Sequence, residues 1–596
     1  MAYSYRNFEI KDIIYRRAIR KLASFLKKHF YLIITTLATI NFIYYNIDSW
    51  NYQFLDADGY MRAIRIKNWL TNPSFFEQKI LETNYPFGEI NHWTRPLDIL
   101  WLISSLPFFF LKDIKDILFL GGSFMSPLFG ILASIVLGYG LKRQFNIFIS
   151  LTGVIFFLFF PLTSATFTFS RPDHHSFLAL LSIYSFSNIL CWLKKRQHRY
   201  LLRLSFSLSL MTFSAIEGFI ISAIFIFYFI YLYIFKNISL IPTYKILKNY
   251  TLFLIIFLLL NPPFEGYLYP DNGRLSILYI TIISLITFGI YILQRQKLHT
   301  PILKITSLIT TLSITFLITI LLFSKTILDT PLPEEISTIW AKHITEMYPA
   351  HKLPFYFQSA NYIFPSLSLL LNLYLLITKH HRRILILNLI IGIPLFILSL
   401  IALRFSPYQL TYIFTPYLCL IDIIYKKSDY YLEHEGEFPT PIYIIIFFVL
   451  FLQQLIMFPV CFSTPKQPIS IYTSHLCQNI KNIGGTLVTD TFLTPQYIYN
   501  CNVNSVSSPY HRNIEGIIDG HNILFSDNDT TLIPLLLKHQ VTQILIFDNY
   551  SYQYNLDEKN KNKLYYRLIK NENVPYYLEK ITTYNPNIHH YKLTTI

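Results

Sequence analysis

Charged side chains are scarce in this sequence. Asp, Glu, Lys and Arg make up only 14% of its 596 residues, whereas 53% of the residues are hydrophobic. A soluble globular domain carries about a quarter of its residues as charged side chains. The composition therefore excludes an ordinary soluble globule and indicates an integral membrane protein.

Cysteine is also rare, and its five positions have no metal-ligand spacing. We found no glycine-rich phosphate loop, internal repeat or heptad array. Cys191 and Cys419 fall in or next to apolar runs. The other three cysteines lie near the C-terminus, where one disulfide is allowed but not required, so the pairing of Cys477 with Cys501 is left open.

The formal net charge of +16 does not indicate nucleic-acid binding. Most Lys and Arg residues stand in short clusters between apolar runs, which is typical of cytoplasmic loops. The first apolar run follows a basic N-terminal segment and lacks a small-residue cleavage site, so we expect a retained anchor.

Thirteen apolar runs are candidates for membrane spans. They are 30–47, 117–141, 145–163, 176–193, 201–215, 218–235, 250–261, 275–293, 302–323, 362–378, 384–403, 409–425 and 441–459. A further run, 96–111, is short and contains two prolines. The basic clusters all fall on the cytoplasmic side only if this run does not cross, so we interpret it as a re-entrant or interfacial segment.

The predicted fold is mainly α: a polytopic membrane helix bundle of about thirteen spans with a small C-terminal α/β extracytoplasmic domain. Segments 486–490 and 543–547 are expected to form buried strands, with a short helix at 535–539. The predicted parts are a cytoplasmic basic N-terminus (1–29), a transmembrane domain (30–460) with long outer loops 48–116 and 324–361, and an extracytoplasmic domain (461–596).

The acidic segment Phe54-Leu-Asp-Ala-Asp-Gly-Tyr-Met-Arg62 opens the first outer loop. Asp56 and Asp58 provide oxygen ligands of the kind that Mg²⁺ or Mn²⁺ prefers. Such a cation at a membrane surface suits the diphosphate of a lipid-linked sugar. The alternative is that the acidic pair opens an interfacial helix as its N-cap.

The same loop continues with Asn91-His-Trp-Thr-Arg-Pro-Leu-Asp98. His92, Trp93 and Arg95 offer a donor, a flat ring and a guanidinium, which suit a phosphorylated sugar. Trp93 is equally typical of a membrane-interface anchor.

The segment Ser170-Arg-Pro-Asp-His-His-Ser176 lies where the chain re-enters the membrane. Asp173, His174 and His175 are ionisable groups at a depth where such groups usually serve function. Asp173 also fits a helix N-cap. The two histidines allow a zinc site, although no Cys ligand or HExxH motif supports it.

Three further charged residues belong to the predicted outer face. Glu217 lies in the turn of a helical hairpin, where it is either a surface group or a site residue. Glu346 lies in the loop 324–361, whose length suggests function. Arg404 ends an apolar run on the outer side, against the positive-inside trend, so it needs an anion or reaches the lipid headgroups.

In the C-terminal region, Ser507-Ser-Pro-Tyr-His-Arg-Asn513 combines polar, aromatic and basic side chains. We expect Tyr510, His511, Arg512 and Asn513 to bind hydroxyl-rich or phosphate ligands, with an ordinary surface loop as the alternative.

Together these motifs resemble those of oligosaccharyltransferase catalytic subunits and, more widely, C-type membrane glycosyltransferases. The resemblance implies metal ligands at Asp56, at Asp173 with His174 or His175, and at Glu346. It also matches Arg404 to the arginine after the family's eleventh span. The family's Trp-Trp-Asp motif is replaced by Leu487-Val-Thr-Asp-Thr491, which puts asparagine-linked protein glycosylation in doubt. The fifth-loop motif has His343 where the family has a small hydroxylated residue.

These patterns predict an enzyme that transfers a sugar or oligosaccharide from a polyprenyl-(di)phosphate donor on the outer face of a bacterial inner membrane. Mg²⁺ or Mn²⁺ is the expected cofactor, and Asp58 or Glu217 is the expected base. The acceptor is left open among protein, glycan and lipid. The alternatives are a transporter or flippase for lipid-linked envelope components, and a scaffold whose outer domain binds a partner.

Overall fold

The computed structural model describes residues 2–46, 53–72, 76, 78–328, 333–353, 358–377, 379–434, 474–548, 557–583 and 585–594. The predicted thirteenth span, 441–459, lies outside the described residues. The membrane region is built almost entirely of helices, as the apolar runs predict, and the C-terminal region contains a sheet.

The helices of the membrane region and its loops are α1 (Ala2–Asn46), α2 (Ala57–Thr71), α3 (Pro96–Ser105), α4 (Ile114–Leu141), α5 (Ile147–Phe159), α6 (Pro161–Thr166), α7 (His174–Lys195), α8 (His198–Ser214), α9 (Glu217–Lys236), α10 (Ile241–Leu260), α11 (Ile277–Leu293), α12 (Pro301–Leu328), α13 (Glu334–Ile339), α14 (Phe364–Ile377), α15 (Arg382–Ile401) and α16 (Thr415–His434). The two-residue strands β1 (Lys79–Ile80) and β2 (Glu89–Ile90) form an antiparallel hairpin in the first loop. A 3₁₀ segment, Leu403–Thr411, connects α15 to α16.

Among the described residues, six helices are long and apolar enough to cross a membrane: α4, α7, α9, α10, α12 and α15. Four more apolar helices are shorter. The chain is therefore a multi-pass membrane protein. α7 is the central helix, since 94% of its most apolar window is buried, against 17% for α12.

Helix α3 covers most of the run that the charge pattern predicts not to cross. Its ten residues span about 15 Å, half of the roughly 30 Å hydrocarbon layer. It packs closely on α4, because a Cβ at Gly121 would lie 1.9 Å from Ser105 Oγ and one at Gly122 would lie 2.2 Å from the Trp101 ring. Helix α3 is thus shorter than one hydrocarbon thickness and is held against its neighbour; that the run 96–111 does not cross stays a prediction.

The C-terminal region alternates helices and strands. Its elements are α17 (Ser474–Ile483), β3 (Thr486–Val488), α18 (Thr494–Cys501), β4 (Asn504–Ser505), α19 (Ile514–Leu524), α20 (Asp529–Lys538), β5 (Val541–Phe547), α21 (Leu564–Lys570), β6 (Leu578–Ile581) and β7 (Ile588–Leu593). The strand order is β4-β3-β5-β7-β6. β3 is parallel to β4 and β5, whereas β7 is antiparallel to β5 and β6. The structure confirms a small α/β domain.

Both faces of this sheet are covered. Ile544 and Ile546 pack into one apolar cluster, whereas Leu545 and Phe547 pack into another on the opposite side. That arrangement explains why the sequence of β5 is a continuous apolar run. A disulfide between Cys477 and Cys501 joins α17 to α18 and settles the pairing that the sequence leaves open.

The C-terminal domain docks on the first loop. The backbone N–H of Tyr85 donates to the Ser505 carbonyl at 3.1 Å, and the N–H of Ser505 donates to the Glu82 carbonyl at 2.8 Å. α18 packs along α2, where Lys67 Nζ donates to Asn502 Oδ1 at 3.0 Å. Consequently the loop that carries Asp56 is stabilised by contacts with a domain that lies more than four hundred residues later in the chain.

Candidate active site

Asp56 begins helix α2 as its N-cap. It has extended backbone angles, and its Oδ1 accepts a hydrogen bond from the Gly59 N–H at 2.8 Å. The capping alternative raised by the sequence is therefore correct. It does not exclude a ligand role, because the cap uses only Oδ1 and leaves Oδ2 facing the neighbouring loop.

That neighbouring loop leads into α7. The N–H of Leu55 donates to the Ser170 carbonyl at 2.9 Å, which holds the two segments side by side. Ser170 adopts a left-handed backbone with φ of 60°, and Asp173 caps α7 by accepting from the His175 N–H at 3.3 Å. The turn between them brings Arg171 to 3.2 Å from Asp56 Oδ2.

Glu346 arrives from the loop after α12. It lies in a short 3₁₀ turn, Thr345–Met347. Two bonds to distant elements hold this loop: Trp340 Nε1 donates to the Pro509 carbonyl at 2.8 Å, and the Leu403 N–H donates to the Tyr348 carbonyl at 3.0 Å. The loop is thereby clamped between the C-terminal domain and the end of α15.

One guanidinium joins the carboxylates of the three segments. Arg171 lies 3.2 Å from Asp56 Oδ2, 3.5 Å from Asp173 Oδ2 and 2.5 Å from Glu346 Oε1. The three acidic groups come from three different loops and surround one positive charge. This arrangement is a site that concentrates negative charge around a central cation.

The histidines add nitrogen atoms beside these carboxylates. His174 Nδ1 is 2.7 Å from Asp173 Oδ1, and His175 Nδ1 is 2.7 Å from the Tyr408 hydroxyl. His175 Nε2 is buried and has no hydrogen-bond partner among the described residues, although it lies 3.4 Å from Glu346 Oε2.

This donor set fits a divalent metal ion. Asp173, His174 and His175 each offer an atom within 4.8 Å of the others, and the buried His175 nitrogen is an available ligand. Carboxylates together with imidazole suit Mn²⁺ or Zn²⁺, whereas carboxylates alone suit Mg²⁺. Arg171 carries a single positive charge, half that of such an ion, and lies among the same oxygens.

The crowding of acids changes their protonation. Removal from bulk water and the nearby carboxylates of Asp56, Asp173 and Glu346 raise the pKa of Asp58 to about 7, even though part of its side chain reaches solvent. Burial raises the pKa of Glu346, but the adjacent His175 and Arg171 outweigh it and hold that pKa at about 2. Two carboxyl groups of one site thus differ in charge near neutral pH.

Glu217 and Arg404 form a second part of the site. Their side chains make a close ion pair, in which Glu217 is only 8% exposed. Arg404 thus has its anion within the protein, and Glu217 is neutralised by it. The ion pair explains why an arginine is tolerated at this end of α15.

The C-terminal motif reaches the same region. The Tyr510 hydroxyl accepts a hydrogen bond from the His92 N–H at 2.6 Å, and the rings of His92 and Tyr510 stack at 5.1 Å. His511 contacts His92 with a ring separation of 4.9 Å. Arg512 pairs with Asp271 at 2.5 Å. The structure therefore joins two predicted substrate-binding motifs that are far apart in the chain.

Arg95 and Asn513 are used inside the protein. Arg95 is 1% exposed; it contacts Asp98 at 3.2 Å and lies over the Trp69 ring at 4.9 Å. Asn513 is buried and caps α19 by accepting from the Gly516 N–H at 3.1 Å. The sequence analysis predicts that both residues bind substrate. Their positions in the structure favour a structural role instead.

Trp93 has a similar position. Its ring receives the Arg62 guanidinium at 4.5 Å and the edge of Tyr510 at 5.6 Å. Arg62 and Arg65 also converge on Asp98, at 2.9 Å and 3.2 Å. Trp93 thus packs at the contact between the first loop and the C-terminal domain. These contacts favour a packing role over that of a lipid-facing anchor.

Three site residues escaped the sequence analysis: Arg171, Tyr408 and Asp271. Arg171 stands two residues before Asp173 and could have been found as the one cation inside an acidic motif. Tyr408 and Asp271 carry no local signal, because their roles depend on partners in other loops.

No family model and no curated protein matches the sequence. Solved structures of the archaeal oligosaccharyltransferase AglB from Archaeoglobus fulgidus do match the fold. The complex with an inhibitory peptide and a dolichol-phosphate has a TM-score of 0.66 at 14% identity, over 88% of this chain and 70% of that chain. The structure tethered with an acceptor peptide containing the NVT sequon gives 0.64 at 15% identity, over 88% and 70%.

A third structure of the same enzyme, in complex with Zn and sulfate, gives a TM-score of 0.61 at 13% identity, over 86% of this chain and 68% of that chain. At such low identity these similarities establish the fold and leave the activity to be argued from the site. The oligosaccharyltransferase-like architecture that the motifs predict is confirmed: this chain has the fold of an oligosaccharyltransferase catalytic subunit.

Proposed function

We propose that this protein is a metal-dependent membrane glycosyltransferase that moves a sugar or oligosaccharide from a polyprenyl-phosphate or polyprenyl-diphosphate donor to an acceptor on the outer face of the membrane. The observation that carries the proposal is the meeting of Asp56, Asp173 and Glu346 around Arg171. The fold shared with an enzyme solved with dolichol-phosphate supports a lipid-linked donor.

Asp56, Asp173, Glu346 and one of the two histidines would hold a divalent cation. When bound, such an ion supplies charge stabilisation for the phosphate leaving group as the glycosidic bond breaks. The Zn and sulfate complex of the shared fold supports a cation and an oxyanion in this architecture. The resident metal of this chain is proposed to be Mg²⁺ or Mn²⁺.

Other residues would bind and orient the substrates. Arg404 is proposed to contact the donor phosphate from the rim of the site, where its pairing with Glu217 fixes its direction. His92, His511 and Arg512 form an aromatic and cationic surface suited to sugar hydroxyls or phosphate. Asp58, with its raised pKa, is the proposed base for an acceptor hydroxyl or amide, and Glu217 is less suited because it is already paired.

A transporter or flippase is the competing proposal. Transporters place their charged sites near the middle of the membrane, on broken helices. Here Asp173 caps the first turn of α7 and Glu217 is the first residue of α9, so the acidic groups stand at helix ends. That position favours an enzyme acting at the water interface.

The decisive experiment compares isosteric variants in nanodiscs supplied with polyprenyl-linked sugars, one series carrying a monophosphate and one a diphosphate. Water serves as the acceptor in this assay, and release of the free sugar together with the polyprenyl phosphate or diphosphate is followed by mass spectrometry. Asp56→Asn and Glu346→Gln should each lower turnover about 100-fold or more. Asp56→Asn retains the N-cap, since Asn caps as well as Asp.

Matched controls exist in the same structure. Asp113 caps α4 by accepting from the Lys115 N–H at 2.8 Å, and Glu335 is exposed in the loop that carries Glu346. Asp113→Asn and Glu335→Gln should keep wild-type turnover. Full turnover in both Asp56→Asn and Glu346→Gln would refute the metal-dependent transferase.

A further inference from the structure

A cavity in the described part of the molecule lies at the opposite end of the helices. Its volume is about 830 Å³, and it opens between the C-terminal ends of α7 and α9 and the N-terminal ends of α10 and α15. α7 has 22 residues between the Asp173 cap and Arg196, a length of about 33 Å. The cavity is thus about one hydrocarbon thickness away from the acidic site.

Five cationic side chains line this cavity: Arg196, Lys236, Lys245, Arg382 and Arg383. None of the described lining residues is acidic. The ion pairs found among the described residues include none of these five cations. Like charges gathered at one concave surface repel one another, so the arrangement gains stability when an anion binds.

Apolar and aromatic side chains also line the cavity. Trp192 and Tyr228 are buried, and the Arg196 guanidinium lies over the Trp192 ring at 4.1 Å. Leu232 and Ile386 also line the space. Four of the five cations are exposed, whereas Trp192, Tyr228 and Leu232 are buried. The cavity therefore fits a molecule with an anionic head and a hydrocarbon body.

We propose that this cavity is a binding site for the phosphate headgroup of an anionic membrane lipid. Guanidinium groups bind phosphate oxygens bidentately, and basic cavities between membrane helices suit such headgroups. The site is separate from the proposed catalytic centre. Since the basic clusters are expected to face the cytoplasm, it would draw its lipid from the inner leaflet.

The test uses the full chain in nanodiscs of phosphatidylcholine with or without phosphatidylglycerol. After transfer to detergent, native mass spectrometry counts the lipids that remain bound. Arg196→Ala/Arg383→Ala should retain about tenfold less phosphatidylglycerol than the wild type. The control Lys194→Ala/Lys195→Ala removes the same charge from exposed neighbours that do not line the cavity, and it should retain the wild-type amount.

Equal lipid loss in the two double variants would overturn the proposal, because general surface charge would then explain the binding. Competition with glycerophosphoglycerol separates a lipid from a soluble phosphate. Displacement by this soluble headgroup at matched concentration would assign the cavity to free phosphate compounds and overturn the lipid site.

A measurement on the unaltered protein covers the case in which the variants misfold. Hydrogen exchange of residues 192–198 should slow in phosphatidylglycerol nanodiscs relative to phosphatidylcholine alone. Identical exchange in the two membranes would contradict the proposal. Neither experiment reads sugar transfer, so failure here leaves the proposed catalytic function untouched, and loss of turnover in the Asp56 or Glu346 variants leaves this site untouched.

Discussion

The two ends of helices α7 and α9 carry opposite charge, and they differ in how that charge is paired. At the end with Asp173 and Glu217, four acidic groups of the site have a cationic neighbour: Arg171 contacts Asp56, Asp173 and Glu346, and Arg404 contacts Glu217. At the other end, Arg196 and Lys236 border a cavity without any acidic lining residue among those described. Ion pairs hold the side chains of the acidic site in one arrangement, whereas the cations around the cavity can bind an anionic ligand.

The difference in charge pairing between the two ends also changes how much a substitution lowers the free energy of unfolding. A buried ion pair costs several kcal/mol when one partner is removed, because the other is left uncompensated. An exposed cation at a water interface contributes about 0.5 kcal/mol or less. The comparison therefore predicts large effects at the acidic end and small effects at the basic end.

The largest effect is expected for Glu217→Ala. The substitution leaves Arg404 without its anion in a mostly buried position, which should lower the free energy of unfolding by about 3 kcal/mol. Thermal unfolding in detergent measures it. The double variant with Arg404→Ala should lose less than the sum of the two single losses; additive losses would show that the pair does not interact.

Arg171→Met tests the charge balance of the acidic cluster. Without the guanidinium, Asp56, Asp173 and Glu346 repel one another, so we expect a loss of about 2 kcal/mol. Because a divalent cation replaces the missing charge, Mn²⁺ should raise the unfolding temperature of this variant more than that of the wild type. Arg143→Met is the control. An equal Mn²⁺ response in all three proteins would argue against a cation site among these carboxylates.

Glu89→Gln examines the contact between the first loop and the C-terminal domain. Glu89 is 4% exposed and accepts from Ser508 Oγ at 2.5 Å. Burial raises its pKa to about 8 despite that hydrogen bond. The folded protein therefore holds a proton that the unfolded chain releases near pH 4.5, and stability should fall as pH rises from 5 to 8.

The slope for Glu89 is at most about 1.4 kcal/mol per pH unit, and Glu89→Gln should remove it. Glu82→Gln, in the same loop, is the control. Unfolding temperatures recorded at several pH values measure the slope. Parallel pH profiles for the wild type and Glu89→Gln would show that Glu89 is ionised in the folded protein.

The smallest effect is expected at the basic end. In detergent without anionic lipid, Arg196→Ala/Arg383→Ala should change the free energy of unfolding by about 0.5 kcal/mol or less, since neither side chain has an ion-pair partner among the residues that the structure describes. If this double variant lost as much stability as Glu217→Ala, the proposed difference in charge pairing between the two ends would be wrong.

Short-range features were predictable from the sequence. The caps at Asp56 and Asp173 follow from an acidic residue before a helical pattern, and the strand at 543–547 follows from its apolar run. The acidic loops were found because carboxylates and histidines at the ends of apolar runs are unusual. These signals lie within a few neighbouring residues, so no tertiary information is needed to read them.

Long-range pairing was not predictable in the same way. Arg95 and Arg171 look alike in sequence, since each stands in a polar loop motif directly before a proline. Arg95 is buried against Asp98 and Trp69, whereas Arg171 stands among the site carboxylates. The two arginines differ because their loops pack against different segments of the chain. The C-terminal domain contributes to this packing through its contacts with the first loop.

By itself the sequence determined that this is a membrane protein of many helices with acidic and basic groups at opposite ends, because hydropathy and charge are properties of each segment. The tertiary structure decided which groups meet: Arg171 with three carboxylates, Glu217 with Arg404, and Cys477 with Cys501. Attraction between exposed charges is largely screened beyond about 8 to 10 Å at physiological ionic strength, so only the packing of distant segments sets these partners.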